Sequence, residues 1–269
     1  MDTAAGRVAL DELRRFGVAV LTAQGWTAVQ AGAIAGYHLW LDAAGASGSG
    51  ISALSGLLES VAAGAVKPKE TGRLTSERAA AAVLHAESAA PVLVLSRAGE
   101  IATEKAREAG VGLVRVAGLK DAGMPMAPIV AEIAVGPYVG LALGPGSAWS
   151  VAIPTLGGLP AVIDTTLGGG KGAKRPKGHA ALRELLPAAG WLMGGESVTV
   201  GAIHIGMFEN GERFRALLAS WSDQPGAWLS ETHSRLRDAA NRDGLALERK
   251  AVERLNALAE AHGVAPLPS

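Results

Sequence analysis

The stretch DTTLGGGKGAKRPKGHAAL (164–182) sets glycines at 168–170, 172 and 178 among Lys171, Lys174, Arg175 and Lys177. Glycine leaves backbone N–H groups unobstructed, and cations beside them, just ahead of a helix, suit an anionic ligand such as a phosphate. The P-loop version of that chemistry needs Gly, four residues, then Gly-Lys-Ser/Thr. Here Gly172 follows Gly170-Lys171, and Thr165 occupies the position of the first glycine, so that motif is excluded. A Gly-x-Gly-x-x-Gly turn opening the helix of a β-α-β unit is also missing after PVLVLS (91–96), which argues against a standard Rossmann site.

Other chemistries find less support. The chain has no cysteine, so disulfides, thiolate nucleophiles and cysteine-held metals are excluded. No two histidines stand four apart with a third ligand nearby, and a metal site is not expected. Gly48-Ser49-Gly50 lies between helical stretches and not after a strand, unlike a hydrolase nucleophile elbow. His38 in YHLWL and His204 in VGAIHIGMF read as core residues, His233 and His262 as surface residues, and His85 lacks an evident acidic partner. His179 starts a helix directly after Lys177-Gly178, and an imidazole titrating near neutrality suits proton transfer there. Asp121, beside Lys120, serves as an acid only if burial raises its pKa against the lysine, which lowers it. Trp149, Trp191, Trp221 and Trp228 read as an aromatic pocket or as scattered core residues.

The elements that must position these groups follow from periodicity. Apolar residues at helical spacing predict helices over 7–22, 27–43 and 51–63, so the first third of the chain reads as helical. PVLVLS (91–96) reads as a buried strand, EIATEKAREAG (100–110) as a helix and VGLVRVAG (111–118) as a second strand, together a β-α-β unit. Further strands are expected at 138–143, 149–154, 161–164 and 198–208, and three charged helices after Asn210, the last two closed by Gly244 and Gly263. This gives an N-terminal helical region (1–75), a sheet region (76–209) and C-terminal helices (210–269) that pack back on the first. The 25 basic and 25 acidic residues balance, which disfavours nucleic acid and anionic membranes as partners. MDTAAGRVALDELRRF does not read as a signal peptide, and Pro125 to Leu143 carries Glu132 with several Gly and Pro, so a cytoplasmic chain without a membrane span is expected.

Several separated segments, taken in order, resemble the malate/L-lactate dehydrogenase family of NAD(P)-dependent 2-oxoacid reductases. LWLDAAGASGSGISALSGLLESVAAGAVKP is similar to the family's helical opening and AREAGVGLVRVAG to its central helix and strand. PGSAWSVAIP and AVIDTT resemble the Gly-Thr-Asn-Pro-x-x-x-Ala-x-Pro and Asp-Met-Ala segments, and KGHAALRELLPAAGWLMGG the Lys-Gly-Tyr-Gly-Leu helix. SETHSRLRDAANRDGLALERKAVERLNALAEAHGVAP is similar to the closing part of the family. The resemblance implies an α/β fold with a mixed central sheet covered by helices, a helical part built from both chain ends, and a homodimer with its active site between subunits. It implies NADPH or NADH as cofactor, held by Asp164, Thr165, Thr166, Lys171, Lys177 and Gly178. The basic residues 171, 174 and 175 suit the extra phosphate of NADPH without choosing between the two.

The departures are equally specific. Ser49-Gly50 stands where the family has His-Gly, Ala53 where its substrate Arg would be, and Asp121 where its catalytic His would be. The segment from Asp164 to Lys177 is shorter than the family's. The expected activity is a divergent reduction of a C=O or C=N bond in a small molecule, within a specialised biosynthetic pathway. Asp121, Lys120, His179 and Ser49 are its candidate catalytic residues. The alternative is a non-redox enzyme, or a non-catalytic protein, that kept the fold after losing the histidine.

Overall fold

The computed structural model describes residues 4–120, 123–145, 148–155, 159–167, 197–214, 216 and 230–267. The chain divides into two units, one of Met1–Thr71, Ser88–Leu93 and Thr232–Ser269, the other of Gly72–Glu87 and Val94–Glu231.

In the first unit, α1 (Leu10–Ala23) and α2 (Ala28–Ala43) form where the apolar spacing predicts helices. Thr27 caps α2 with a reciprocal box, its hydroxyl accepting from the Gln30 amide while the Gln30 side chain accepts from the Thr27 amide. Leu13, Phe16, Val20 and Leu21 of α1 and Ala31, Ile34, Ala35 and Leu41 of α2 are all buried, and the two helices pack together. Two short 3-10 turns, Ser47–Ser49 and Ile51–Ala53, lead into α3 (Leu54–Ala62). The two ends of the chain meet in a two-stranded antiparallel ribbon, β1 (Ala4–Val8) with β9 (Leu245–Glu248). β9 lies between α6 (Ser230–Asp243) and α7 (Arg249–Ala261), and α7 packs on α3. Gly244 ends α6 at φ 76°, a left-handed residue from which any side chain would run into the Val8 backbone.

The second unit is a mixed seven-stranded sheet. Its order is β2 (Arg73–Glu77), β3 (Ala81–His85), β4 (Val111–Ala117), β8 (Val198–His204), β5 (Tyr138–Leu143), β6 (Trp149–Ile153), β7 (Ala161–Asp164). Only β3 and β4 run parallel, joined by α4 (Pro91–Ala109); every other neighbouring pair is antiparallel. One face is buried: Leu84, Val114, Val116, Val198, Val200, Ala142, Ala152 and Val162 point to α4 and α5 (Ala127–Ile133). Gly112 and Gly140 let those helices approach, since a Cβ at either would strike a helix carbonyl, that of Ala102 or of Val130. On the other face Val83, Arg115, Leu141, Leu143 and Trp149 remain half-exposed.

Two sequence readings are corrected. PVLVLS is not a strand but the start of α4: Val92, Leu95, Ala98, Ala102 and Ala106 are buried at helical spacing, and Pro91 takes the first helical position, where its missing N–H costs nothing. A short apolar run fits both periods, and the helical continuation decides it. The β-α-β unit therefore exists, with AAVLH (81–85) as its first strand. Nor is the first third helical throughout, because it also holds β1, β2 and β3, whose pairing partners lie far along the chain or across a short turn. Among the described residues no helix is long and apolar enough to cross a membrane.

Candidate functional site

Strand direction gathers several loops at one end of the sheet. β3, β4, β5 and β7 end there, at His85, Ala117, Leu143 and Asp164, while β6 and β8 begin there, at Trp149 and Val198. The register fixes the row: His85 faces Ala117, Val116 faces Val198, Leu143 faces both Thr199 and Trp149, and Ser150 faces Asp164. Loop openings at the carboxyl ends of strands are where α/β sheets bind ligands.

Asp164 organises this end. One carboxylate oxygen accepts from the Met126 and Ala127 amides at 2.8 and 2.7 Å, tying β7 to the start of α5. The other accepts from the Thr166 amide and hydroxyl, at 2.7 and 2.6 Å, and from the Leu167 amide at 3.3 Å. Both oxygens are thus occupied within the chain, and Asp164 shapes the loop. Thr165 is likewise tied to Trp149: its hydroxyl accepts from the Trp149 amide at 2.9 Å, and its own amide donates to the Trp149 carbonyl at 3.0 Å. The three expected cofactor residues from 164 to 166 thus lie together at this sheet end. Lys120 lies exposed at the same sheet end, after Gly118, which takes φ 71°.

The sequence shows no evident acidic partner for His85, yet β3 delivers it to this end. A Cβ on Gly118 would lie 2.9 Å from its ring, so the imidazole rests on the backbone that leads to Lys120. Its Nδ1 accepts from the Glu87 amide at 3.3 Å, which leaves the proton on Nε2. Spacing could not reveal this, since the two segments meet only through parallel pairing of β3 and β4. Asp121, Lys171, Lys177, Gly178 and His179 lie outside the described residues.

Ser49 belongs to the first unit, where α2 holds its backbone. Buried His38 donates from Nδ1 to the Ser49 carbonyl at 2.8 Å, a carbonyl being able only to accept. One turn on, Asp42 accepts from the Ile51 amide at 2.7 Å. Burial lowers the His38 pKa against the smaller opposing effect of its bonds to the Ser49 and Gly50 backbone. Burial likewise pushes Asp42 up to about 6, with the Ile51 amide pulling the other way. A Cβ at Gly50 would overlap the Asp42 carboxylate, so a side chain there would displace it. His38 is a core residue as expected. His262 is instead half-buried, its Nδ1 accepting from the Gln24 amide nitrogen at 2.9 Å.

A cavity of about 420 Å³ lies between α4 and α5, lined among others by Glu100, Thr103, Arg107, Glu132 and Tyr138. Tyr138 begins β5, so the cavity sits toward the opposite end of the sheet from Asp164. Burial, and then the neighbouring Glu100 charge, raises the Glu132 pKa. A cavity with two adjacent carboxylates repels a dianionic ligand, and its size alone does not make it the site for one.

A seven-stranded mixed sheet with helices on one face and several loops gathered at one end defines an α/β fold. The model of the malate/L-lactate dehydrogenase family matches residues 8–165, more than half of the chain, and the protein belongs to that family. Its fold is similar to malate dehydrogenase from Pyrococcus horikoshii OT3 (TM-score 0.80, 19% identity, 97% of each chain covered). It is also similar to sulfolactate dehydrogenase from Methanocaldococcus jannaschii (TM-score 0.78, 16% identity, 96% of this chain and 98% of the other). A third similar structure is delta1-piperideine-2-carboxylate reductase from Pseudomonas syringae pvar. tomato (TM-score 0.70, 18% identity, 94% and 99%). No curated protein sequence matches.

Proposed function

We propose that the chain is an NAD(P)H-dependent reductase of a C=O or C=N bond in a small molecule. The observation that carries this reading is the saturated Asp164 carboxylate, which fixes Thr166, Leu167 and the start of α5 at the sheet end that also presents Lys120 and His85. The donor set suits a dinucleotide: backbone amides, Lys120 and the Trp149 side chain, with the acid of Asp164 withdrawn into internal bonds. A bound nicotinamide supplies hydride to the acceptor carbon. The chain must then supply a proton to the developing oxygen or nitrogen anion. His85, its ring exposed at this end, is placed to hydrogen-bond the developing anion through Nε2–H and to supply the proton as the imidazolium, with the bond from the Glu87 amide given up, while Lys120, exposed at the same sheet end, is the charge stabiliser. Asp121 and His179 are the competing donors.

Fluorescence titration of the full chain with NADPH and NADH tests the reading. Saturable binding of one, and its oxidation in the presence of 2-oxoacids or cyclic imines, is expected; no binding of either retires it in favour of a non-redox role. H85Q, D121N and H179Q, assayed side by side, then assign the donor. The true donor's variant loses roughly a hundredfold or more in kcat while its dinucleotide affinity stays unchanged.

A further inference from the structure

The half-exposed face of the sheet holds two facing polar side chains, those of Arg115 and Thr199, that none of the described residues satisfies. Thr199 on β8 is 5% exposed, and its hydroxyl has no hydrogen-bond partner among the described residues. Arg115 on β4 is half-buried, its Nε is enclosed and unpartnered, and it enters no ion pair among the described residues. The β4–β8 register sets the two directly opposite each other, which in an antiparallel pair brings their Cβ atoms to about 5 Å. Leu143 flanks Thr199 on the far side. In the next row Leu113 and Leu141 flank Gly201, where a Cβ would lie 2.8 and 2.9 Å from the two leucine side chains. Both leucines therefore lean over the glycine and make a shallow apolar floor beside the guanidinium.

An arginine that merely lays its stem on leucines and keeps its terminal nitrogens in water is common. That does not account for an enclosed, unpaired Nε next to an enclosed, unpaired hydroxyl, because buried polar groups are normally satisfied. Leucine or valine at both positions would avoid the cost. We propose that Arg115 and Thr199 anchor the carboxylate of a small organic acid, whose hydrocarbon part lies on Leu113, Leu141 and Leu143. The terminal nitrogens of Arg115 meet the carboxylate first, and a turn of the guanidinium then opens Nε and the Thr199 hydroxyl, both enclosed in the unliganded chain, so that the fork and the hydroxyl donate together. The anchor stands independently of dinucleotide binding and is tested without it.

The test is calorimetry on the full chain with hexanoate, hexanol and inorganic phosphate as probes. Hexanoate is expected to bind saturably, while hexanol, without the charge, and phosphate, without the tail, bind at least roughly tenfold more weakly. R115Q should weaken hexanoate by at least roughly tenfold, R115K by less because the fork is lost but the charge kept, and T199V by a few-fold. None of these variants should lower the melting temperature of the unliganded chain, since neither side chain holds an internal bond. No saturable hexanoate binding, unchanged binding by R115Q, or a sharp fall in the melting temperature of R115Q or T199V overturns the proposal. So does an R115Q variant that dissociates an oligomer in sedimentation velocity while the native chain ignores hexanoate, because the carboxylate would then come from a second copy.

Discussion

Asp42→Asn removes one charge from the segment that carries Ser49 and leaves an oxygen to accept from the Ile51 amide. The Asp42 pKa stands at about 6 in the fold against an ordinary 3.8. At about 1.4 kcal/mol per pH unit, that gap amounts to about 3 kcal/mol. Its sign is destabilising. A carboxyl raised on folding favours the folded state most below pH 3.8, and that advantage is lost as pH rises through about 6. Asp42 keeps part of its surface in water, so about half of the figure, roughly 1.5 kcal/mol, is the working expectation at pH 8. Asn does not titrate, so the D42N chain should exceed the native one by that margin at pH 8, and the margin should shrink to about a third of itself at pH 4.5. Urea unfolding followed by tryptophan fluorescence, with buried Trp26 as one reporter in the same unit, measures both. A D42N chain no more stable than the native one at pH 8, or a margin that does not narrow toward pH 4.5, would refute burial as the dominant influence on this carboxyl.

Gly112→Ala and Gly201→Ala lie on neighbouring strands but on opposite faces of the sheet, and they meet different obstacles, the Ala102 carbonyl against the ends of Leu113 and Leu141. Backbone yields less than side chains, so thermal melts should place the first at about 3 kcal/mol of destabilisation and the second at about 1; the reverse order would mean that α4 does not press on the sheet at Gly112. Asp164→Asn keeps one acceptor oxygen and turns an NH2 group toward donors, which should cost about 3 kcal/mol and weaken dinucleotide binding by displacing the loop after β7. Native stability in D164N would show that the five bonds to this carboxylate do not hold the sheet end.

Much of the architecture was legible in the chain. Residues 10–23 and 28–43 form helices because their apolar residues repeat at helical spacing, and Gly244 and Gly263 end helices because they alone readily take positive φ there. The strands 111–117, 138–143, 149–153 and 161–164 follow from short apolar runs edged by Gly or Pro. PVLVLS reads either way because a run of five apolar residues fits either period, and only the continuing buried stripe to Ala106 settles the helix.

Local pattern is a property of neighbours along the chain, and it determined which elements form and where they stop. Pairing across the sheet is a property of residues far apart in sequence, and it alone decided the site. Parallel pairing of β3 with β4 brought His85 over Gly118, the turn after β7 closed the Asp164 carboxylate on α5, and the β4–β8 register set Arg115 against Thr199 with no ion-pair partner among the described residues. No spacing rule carries such contacts, because strand order and register depend on which faces the helices bury.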